Sequence, residues 1–136
     1  MNKQLMNYLE SELMAFPHID KRIREVEEEL LNPWQEQDEN IGGGRSNNNV
    51  SQTEVKATRL VTDKRLAKLY EMKHAIQKVY DECNAVDKRL IDEYFFTKPR
   101  QLTMSGVAQK VCVSRATAYR MKRYIIQQLA EELGMG

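Results

Sequence analysis

The stretch from Thr103 to Tyr124, TMSGVAQKVCVSRATAYRMKRY, decides how this chain folds and what its C-terminal part can touch. It reads as two short amphipathic helices with Cys112 at the bend, a helix-turn-helix of the kind that enters a DNA groove. Val107, Ala108, Val111, Val113, Ala118 and Met121 fall where such a unit needs apolar groups to pack one helix on the other. Ala108 matters most, because a small residue where two helices cross closely admits the second helix. Ser114 is a natural N-cap, its hydroxyl accepting from a free amide one turn in. Helix is then predicted without interruption by Gly or Pro to Leu133.

That second helix separates its residues by chemistry. At about 100° per residue, Ala118, Met121, Ile125 and Leu129 cluster on one side, and Arg115, Tyr119, Arg120 and Arg123 fall roughly opposite. Guanidinium groups there can fork onto guanine edges or pair with phosphates, and a tyrosine hydroxyl can bond either. Taken alone, a basic face is also what an ordinary solvated helix carries. Here it coincides with the small alanine, the capping serine and an apolar pattern on both helices, and the combination points to DNA. Ile126 and Leu133 read as lying off the core side, so the first half of the helix is expected to read DNA and the last half to hold the arm or a second subunit.

Length and charge bound the rest. A chain of 136 residues fits one domain, or one compact domain with an arm. Hydrophobic content of 41% can supply a core, but 30% charged residues and a mean hydropathy of −0.66 keep it modest. No apolar run approaches the ~18 residues of a membrane span, and the first residues lack the apolar segment and cleavage site of a signal peptide. A cytoplasmic protein without membrane contact is expected. Cys83 and Cys112 are scattered thiols, expected to be buried and reduced rather than bridged.

The net charge of +1 conceals a polarity. Residues 1–84 carry 12 Lys+Arg and 15 Asp+Glu, giving −3, and residues 85–136 carry 9 and 5, giving +4. The predicted organisation is therefore an acidic helical arm over 1–84 and a basic DNA-binding helix-turn-helix domain over 85–136.

The arm is predicted all-α. Residues 3–16 suggest a helix with Leu5, Leu9 and Leu13 on one side, and Pro17 breaks it or opens the next. In that next helix Ile19, Ile23, Val26 and Leu30 form a narrow apolar seam, with Glu25 and Glu27–Glu29 on its wet faces. Residues 32–50, NPWQEQDENIGGGRSNNNV, read as a flexible Gly/Asn-rich loop whose glycine triplet lacks the Lys-Ser/Thr of a phosphate-binding loop. Trp34 is expected to pin the start of that loop on the helices, or else to meet a partner. Ser51-Gln-Thr-Glu54 resembles a capping box and starts a long central helix to about Cys83, with a seam of Leu69, Met72, Ile76, Val79 and Cys83. A helix of ~30 residues spans ~45 Å, so a helical hairpin packed within the chain and a self-associating arm, giving a homodimer, stand as alternatives. Asp87 is expected to cap or open a further helix with Leu90, Ile91, Tyr94 and Phe95 inward. Lys98-Pro99-Arg100 interrupts it and Thr103 caps the next. No stretch sustains the alternation of a strand.

Chemistry of other kinds finds no support. His18 and His74 have no second ligand at metal spacing, the carboxylates occur in solvating runs, and no nucleophile–base set or Cys-x-x-Cys appears. No cofactor, metal or enzymatic activity is expected. Met72, Met104 and Met121 fit core gaps.

The order of parts is informative as a whole: two N-terminal helices, NPW with the Gly-rich loop, the SQTEVKATRL helix start, RLIDEYFF, then VSRATAYRMKRYIIQQLAEELG. It resembles the RinA family of phage transcriptional regulators, related to the ArpU-type regulators, over nearly the whole length. The C-terminal half is also similar to the fourth conserved region of sigma factors, where a Leu-Ile-x-x-Tyr helix precedes the helix-turn-helix as Leu90–Tyr94 does here. The resemblance implies an activator of phage late genes, those for packaging and virion assembly, that binds promoter DNA in the bacterial host and contacts host RNA polymerase. Mapped onto this chain, the groove-entering residues would be Ser114, Arg115, Ala116, Tyr119, Arg120 and Arg123, with Lys110 and Lys122 flanking the phosphates. Cys112 departs from the pattern, standing where a glycine often sits with positive φ, and suggests a slightly different turn. Two other classes remain as alternatives: a small terminase subunit, which usually carries its DNA-binding unit first rather than last, and a polymerase- or sigma-binding protein that never touches DNA.

Overall fold

The structure, a computed structural model, describes residues 2–32 and 52–136. Its elements are α1 (Lys3–Ala15), a 3-10 turn (Phe16–His18), α2 (Ile19–Leu31), α3 (Gln52–Thr62), α4 (Lys64–Glu82), α5 (Ala85–Leu90) continuing as a π-helical turn (Ile91–Phe95), α6 (Met104–Lys110) and α7 (Arg115–Glu132). The fold is all-α, with no strand among the described residues. The expectations for the Gly/Asn stretch, Trp34 and the Ser51 cap lie outside those residues.

Side-chain chemistry at the helix ends explains most boundaries. The Asn2 side chain accepts from the Leu5 amide at 2.7 Å to start α1. Pro17 falls in the 3-10 turn that joins α1 to α2, where its missing N–H costs nothing. Asn84, not the expected Asp87, caps α5, its Oδ1 accepting from the Asp87 amide at 2.8 Å. Asp87 stands one turn in, with its side chain buried. The predicted long central helix is broken at Asp63, whose Oδ1 accepts from the Leu66 amide at 2.9 Å and so offers the backbone an alternative to uninterrupted helix. That amide, ahead of the Arg65 guanidinium, holds the Asp63 carboxyl below its usual range.

The packing does not divide at the expected boundary of 84/85. One compact unit gathers Met1–Ile19 with Glu71–Gly136, and the other is Asp20–Tyr70. Charge follows the linear chain, whereas packing follows the apolar faces, and α1 buries its face with the C-terminal helices. Within the larger unit the core combines Leu9 and Leu13 of α1, Met72, Ile76 and Val79 of α4, and Leu90, Ile91 and Phe95. Val107, Ala108, Ile125, Ile126 and Leu129 complete it from α6 and α7. Ile126 is fully buried, which corrects its expected place off the core side. The face of α7 toward the core is wider than the seam of Ala118, Ile125 and Leu129 because α1 also packs on this helix.

At the end of α5 the Phe96 amide donates to Ile91 O at 3.0 Å, a bond five residues back that widens the turn. Phe96 then stacks on Phe16 at 4.9 Å and on Tyr80 at 5.9 Å. Within the smaller unit, α2 meets the α3–α4 stretch in antiparallel order, the arrangement that the hairpin alternative requires. Arg59 donates to Leu30 O at 3.2 Å, Arg65 pairs with Glu29 at 3.0 Å, and the Tyr70 hydroxyl donates to Glu27 at 3.1 Å.

Candidate nucleic-acid interface

The candidate surface is built on α6, the turn after it and the first half of α7. Thr103 caps α6, its Oγ1 accepting from the Gly106 amide at 3.2 Å. Ser114 caps α7, its Oγ accepting from the Thr117 amide at 3.1 Å. Val107, Ala108, Val111 and Ala118 are buried between the helices, as their spacing predicts, and Ala108 is 3% exposed. A larger side chain there would meet the neighbouring helix directly.

The turn itself is a left-handed helix end. The Val113 amide donates to Ala108 O at 2.9 Å and the Cys112 amide to Gln109 O at 3.2 Å, with Cys112 at φ +62. This is a Schellman closure with cysteine in the position that favours glycine. The C-terminus of α7 is closed the same way by Gly134, at φ +74, with the Met135 amide on Ala130 O at 2.8 Å. Cys112 therefore adopts the ordinary left-handed backbone rather than the different turn expected for it. Both thiols are free, but Cys112 is exposed and Cys83 only half-buried, contrary to the expectation that both lie in the core. Position in the turn puts the Cys112 side chain outside the helix–helix contact.

Of the eight residues expected to meet DNA, Ser114, Arg115, Ala116, Arg120 and Arg123 are exposed on the N-terminal half of α7, and Tyr119 is half-buried. No carboxylate among the described residues pairs with Arg115, Arg120 or Arg123. The guanidinium of Arg115 lies 5.4 Å from the Tyr119 ring centroid. Arg120 donates to Thr117 Oγ1 at 3.1 Å, and the Ser114 hydroxyl donates to the same oxygen at 2.9 Å. Cap, threonine and arginine thus form one chain, which holds the Arg120 head at a fixed place in the first turns.

The two lysines are engaged elsewhere. Lys110 pairs with Glu93 at 2.9 Å, and its carbonyl accepts from Arg89 at 3.1 Å, which ties the end of α6 to α5. Lys122 pairs with Glu10 of α1 at 2.8 Å, and its side chain is only 15% exposed. Its ammonium lies 5.6 Å from the Tyr119 centroid and 5.7 Å from that of Tyr94, within cation–π range of both. Arg100 covers the Tyr94 ring at 4.5 Å.

Thr117 and Glu10 escaped the sequence reading, and Tyr94 was expected only as an inward-facing residue, not as a ring beside Lys122 and Arg100. Thr117 was legible in principle, three residues before Arg120 and three after the cap. Glu10 was not, because nothing local links it to a lysine 112 residues away.

Residues 2–131 match the family described as "Protein of unknown function (DUF722)". The chain is 37% identical over 126 residues to the transcriptional activator RinA of Staphylococcus phage phi11, covering 93% of this chain and 88% of that protein. No solved structure matches it. The match runs through the acidic helices as well as through α6 and α7, and the chain belongs to the family of the phage transcriptional activator RinA.

Proposed function

We propose that the chain is a sequence-specific, double-strand DNA-binding transcription activator of phage late genes, with α6, its turn and α7 acting as a helix-turn-helix. The observation that carries this reading is the row of exposed arginines, Arg115, Arg120 and Arg123, without carboxylate partners among the described residues, on the capped first half of α7. A helix of this kind offers guanidinium forks to base edges and phosphates, and a partner carboxylate would compete with both. Kinship to RinA supplies the regulatory context. Ser114 and Ala116 allow close approach of the backbone, Arg115 and Arg120 select bases, Arg123 meets phosphates, and Tyr119 carries Arg115. Lys110, paired with Glu93 but 50% exposed, flanks the phosphates by exchanging that surface partner. Lys122 is reassigned: its ammonium is held by Glu10, so it positions Tyr119 rather than reaching a phosphate.

Footprinting and gel-shift titration on the phage late-promoter region, beside an unrelated duplex, test the reading. Arg115→Ala and Arg120→Ala are each expected to cost about 1–3 kcal/mol on the specific site and to relax sequence preference. Affinity for either duplex should fall steeply with salt. Unchanged binding of the double variant to the promoter would refute the assignment of α7. Pull-down of host RNA polymerase by the DNA-bound protein tests the activator step.

A further inference from the structure

Next to that surface, inside the larger unit, the end of α4, the start of α5 and one flank of α7 line a half-open cavity of about 610 Å³. The volume falls in the ~300–1,000 Å³ range of small-molecule sites. Its walls are chemically divided. Val79, Met121 and the half-exposed ring of Tyr124 supply apolar surface, and Glu82 and Asp87 supply two carboxylates. Thr117 and Arg120 line the same space, with the Arg120 guanidinium turned onto Thr117 Oγ1 at 3.1 Å and paired with neither carboxylate.

Asp87 is the unusual group. It is 9% exposed, the one buried charged residue among those described. Its amide is used by the Asn84 cap, but no donor among the described residues reaches its carboxylate and no Lys or Arg pairs with it. Burial pushes the acid above its ordinary value with nothing to offset it. A buried carboxylate without a partner costs free energy, and its place in the first turn of α5 offers only the partial charge of a helix end. Beside it, burial and the Asp87 charge together push the Cys83 thiol up, so the thiol stays neutral. A bare metal ion is a poor match, because no group of three ligating side chains converges among the described residues.

We infer that this cavity binds a small organic cation, a guanidinium or primary ammonium on a short aliphatic chain, with Asp87 as its counter-ion. Glu82 adds a second negative charge at the opening, and Val79, Met121 and Tyr124 cover the chain. Two sources share this chemistry: a free alkylamine, or an Arg or Lys side chain presented by another protein.

Isothermal titration of the full-length protein, without DNA, tests the site independently of the DNA-binding reading. The probes are agmatine, as a free amine, and N-acetylargininamide, as an arginine flanked by peptide groups. Saturable binding is expected, weakened at least about tenfold in Asp87→Asn, the worth of one charge-assisted hydrogen bond. That variant removes an unpaired buried charge, so its Tm should equal or exceed that of the wild type, and lost binding then reports the site rather than unfolding. In a Cys112→Ser background, agmatine should also slow alkylation of Cys83, which lines the cavity. Tighter binding of agmatine identifies a free amine as the ligand, and tighter binding of the peptide analogue identifies a protein side chain. Absence of binding by both probes, binding unchanged in Asp87→Asn, or unprotected Cys83 would overturn the inference.

Discussion

The pair Lys122–Glu10 separates two roles for one lysine by measurement. Its 2.8 Å contact joins side chains that are 15% and 25% exposed, so solvent screens it less than a surface ion pair. A charge-assisted hydrogen bond in such a place contributes about 1.5–3 kcal/mol. The cation also meets two tyrosine rings at 5.6 and 5.7 Å, each worth about 0.5–1 kcal/mol at this exposure. Lys122→Met keeps the aliphatic volume and removes the charge, and Glu10, a quarter exposed, can turn toward water. The expected cost is about 1–2 kcal/mol, with a Lys122/Glu10 coupling of about 1–2 kcal/mol in a double-mutant cycle with Glu10→Gln. Urea denaturation of the four proteins reads it. The DNA arm is sharper. A phosphate-contacting lysine lost from the interface lowers the slope of log K against log salt by about 0.9. A positioning lysine leaves that slope unchanged, while specific affinity falls through Tyr119 and Arg115. Coupling within about 0.5 kcal/mol of zero, or a slope reduced by about one unit, would refute the positioning role.

Further outcomes follow from single positions. Cys112→Gly removes a left-handed penalty of about 1–2 kcal/mol and adds back about 0.5–1 kcal/mol of unfolded-state entropy; thermal denaturation should show a small rise in Tm, since the exposed thiol loses no packing. Ala108→Leu should destabilise by about 1–3 kcal/mol through overpacking and weaken DNA binding at the same time, read by urea titration and gel shift. Thr117→Val keeps shape but removes the acceptor of Arg120, and should reduce discrimination between promoter and control duplex more than it reduces binding to the control. For Asp87, a folded-state value raised above the unfolded one means that stability is lost as pH rises from about 4 through the raised value. The stability gain of Asp87→Asn over the wild type should therefore be absent near pH 3 and grow toward neutrality, measured by denaturation across that range.

The local signals in the chain were strong. Apolar spacing placed Leu9, Leu13, Ile23, Met72, Ile76 and Val79 on buried faces, and side-chain caps at Thr103 and Ser114 start α6 and α7 as their residue types dictate. Where local rules compete, the reading slipped. Asn84 and Asp87 are both good first-turn residues three apart, and periodicity cannot say which one caps. Asp63 sits inside a continuous helical pattern, and only its side-chain bond to the Leu66 amide marks the break. Charge counting separated residues 1–84 from the rest, yet it carries no information about which apolar faces meet.

By itself, then, the sequence determined the all-α class, the capped starts of α6 and α7 and the row of arginines on α7, because these depend on neighbours within a turn or two. The tertiary structure decided what lies across the fold: α1 packed on α7, Ile126 turned inward, Lys122 taken up by Glu10, and Asp87 buried beside a cavity without a partner among the described residues. Such contacts join residues far apart in the chain, where no periodic pattern records the pairing. Whether a charged side chain stays available to a ligand or is already satisfied within the protein is settled only by those contacts.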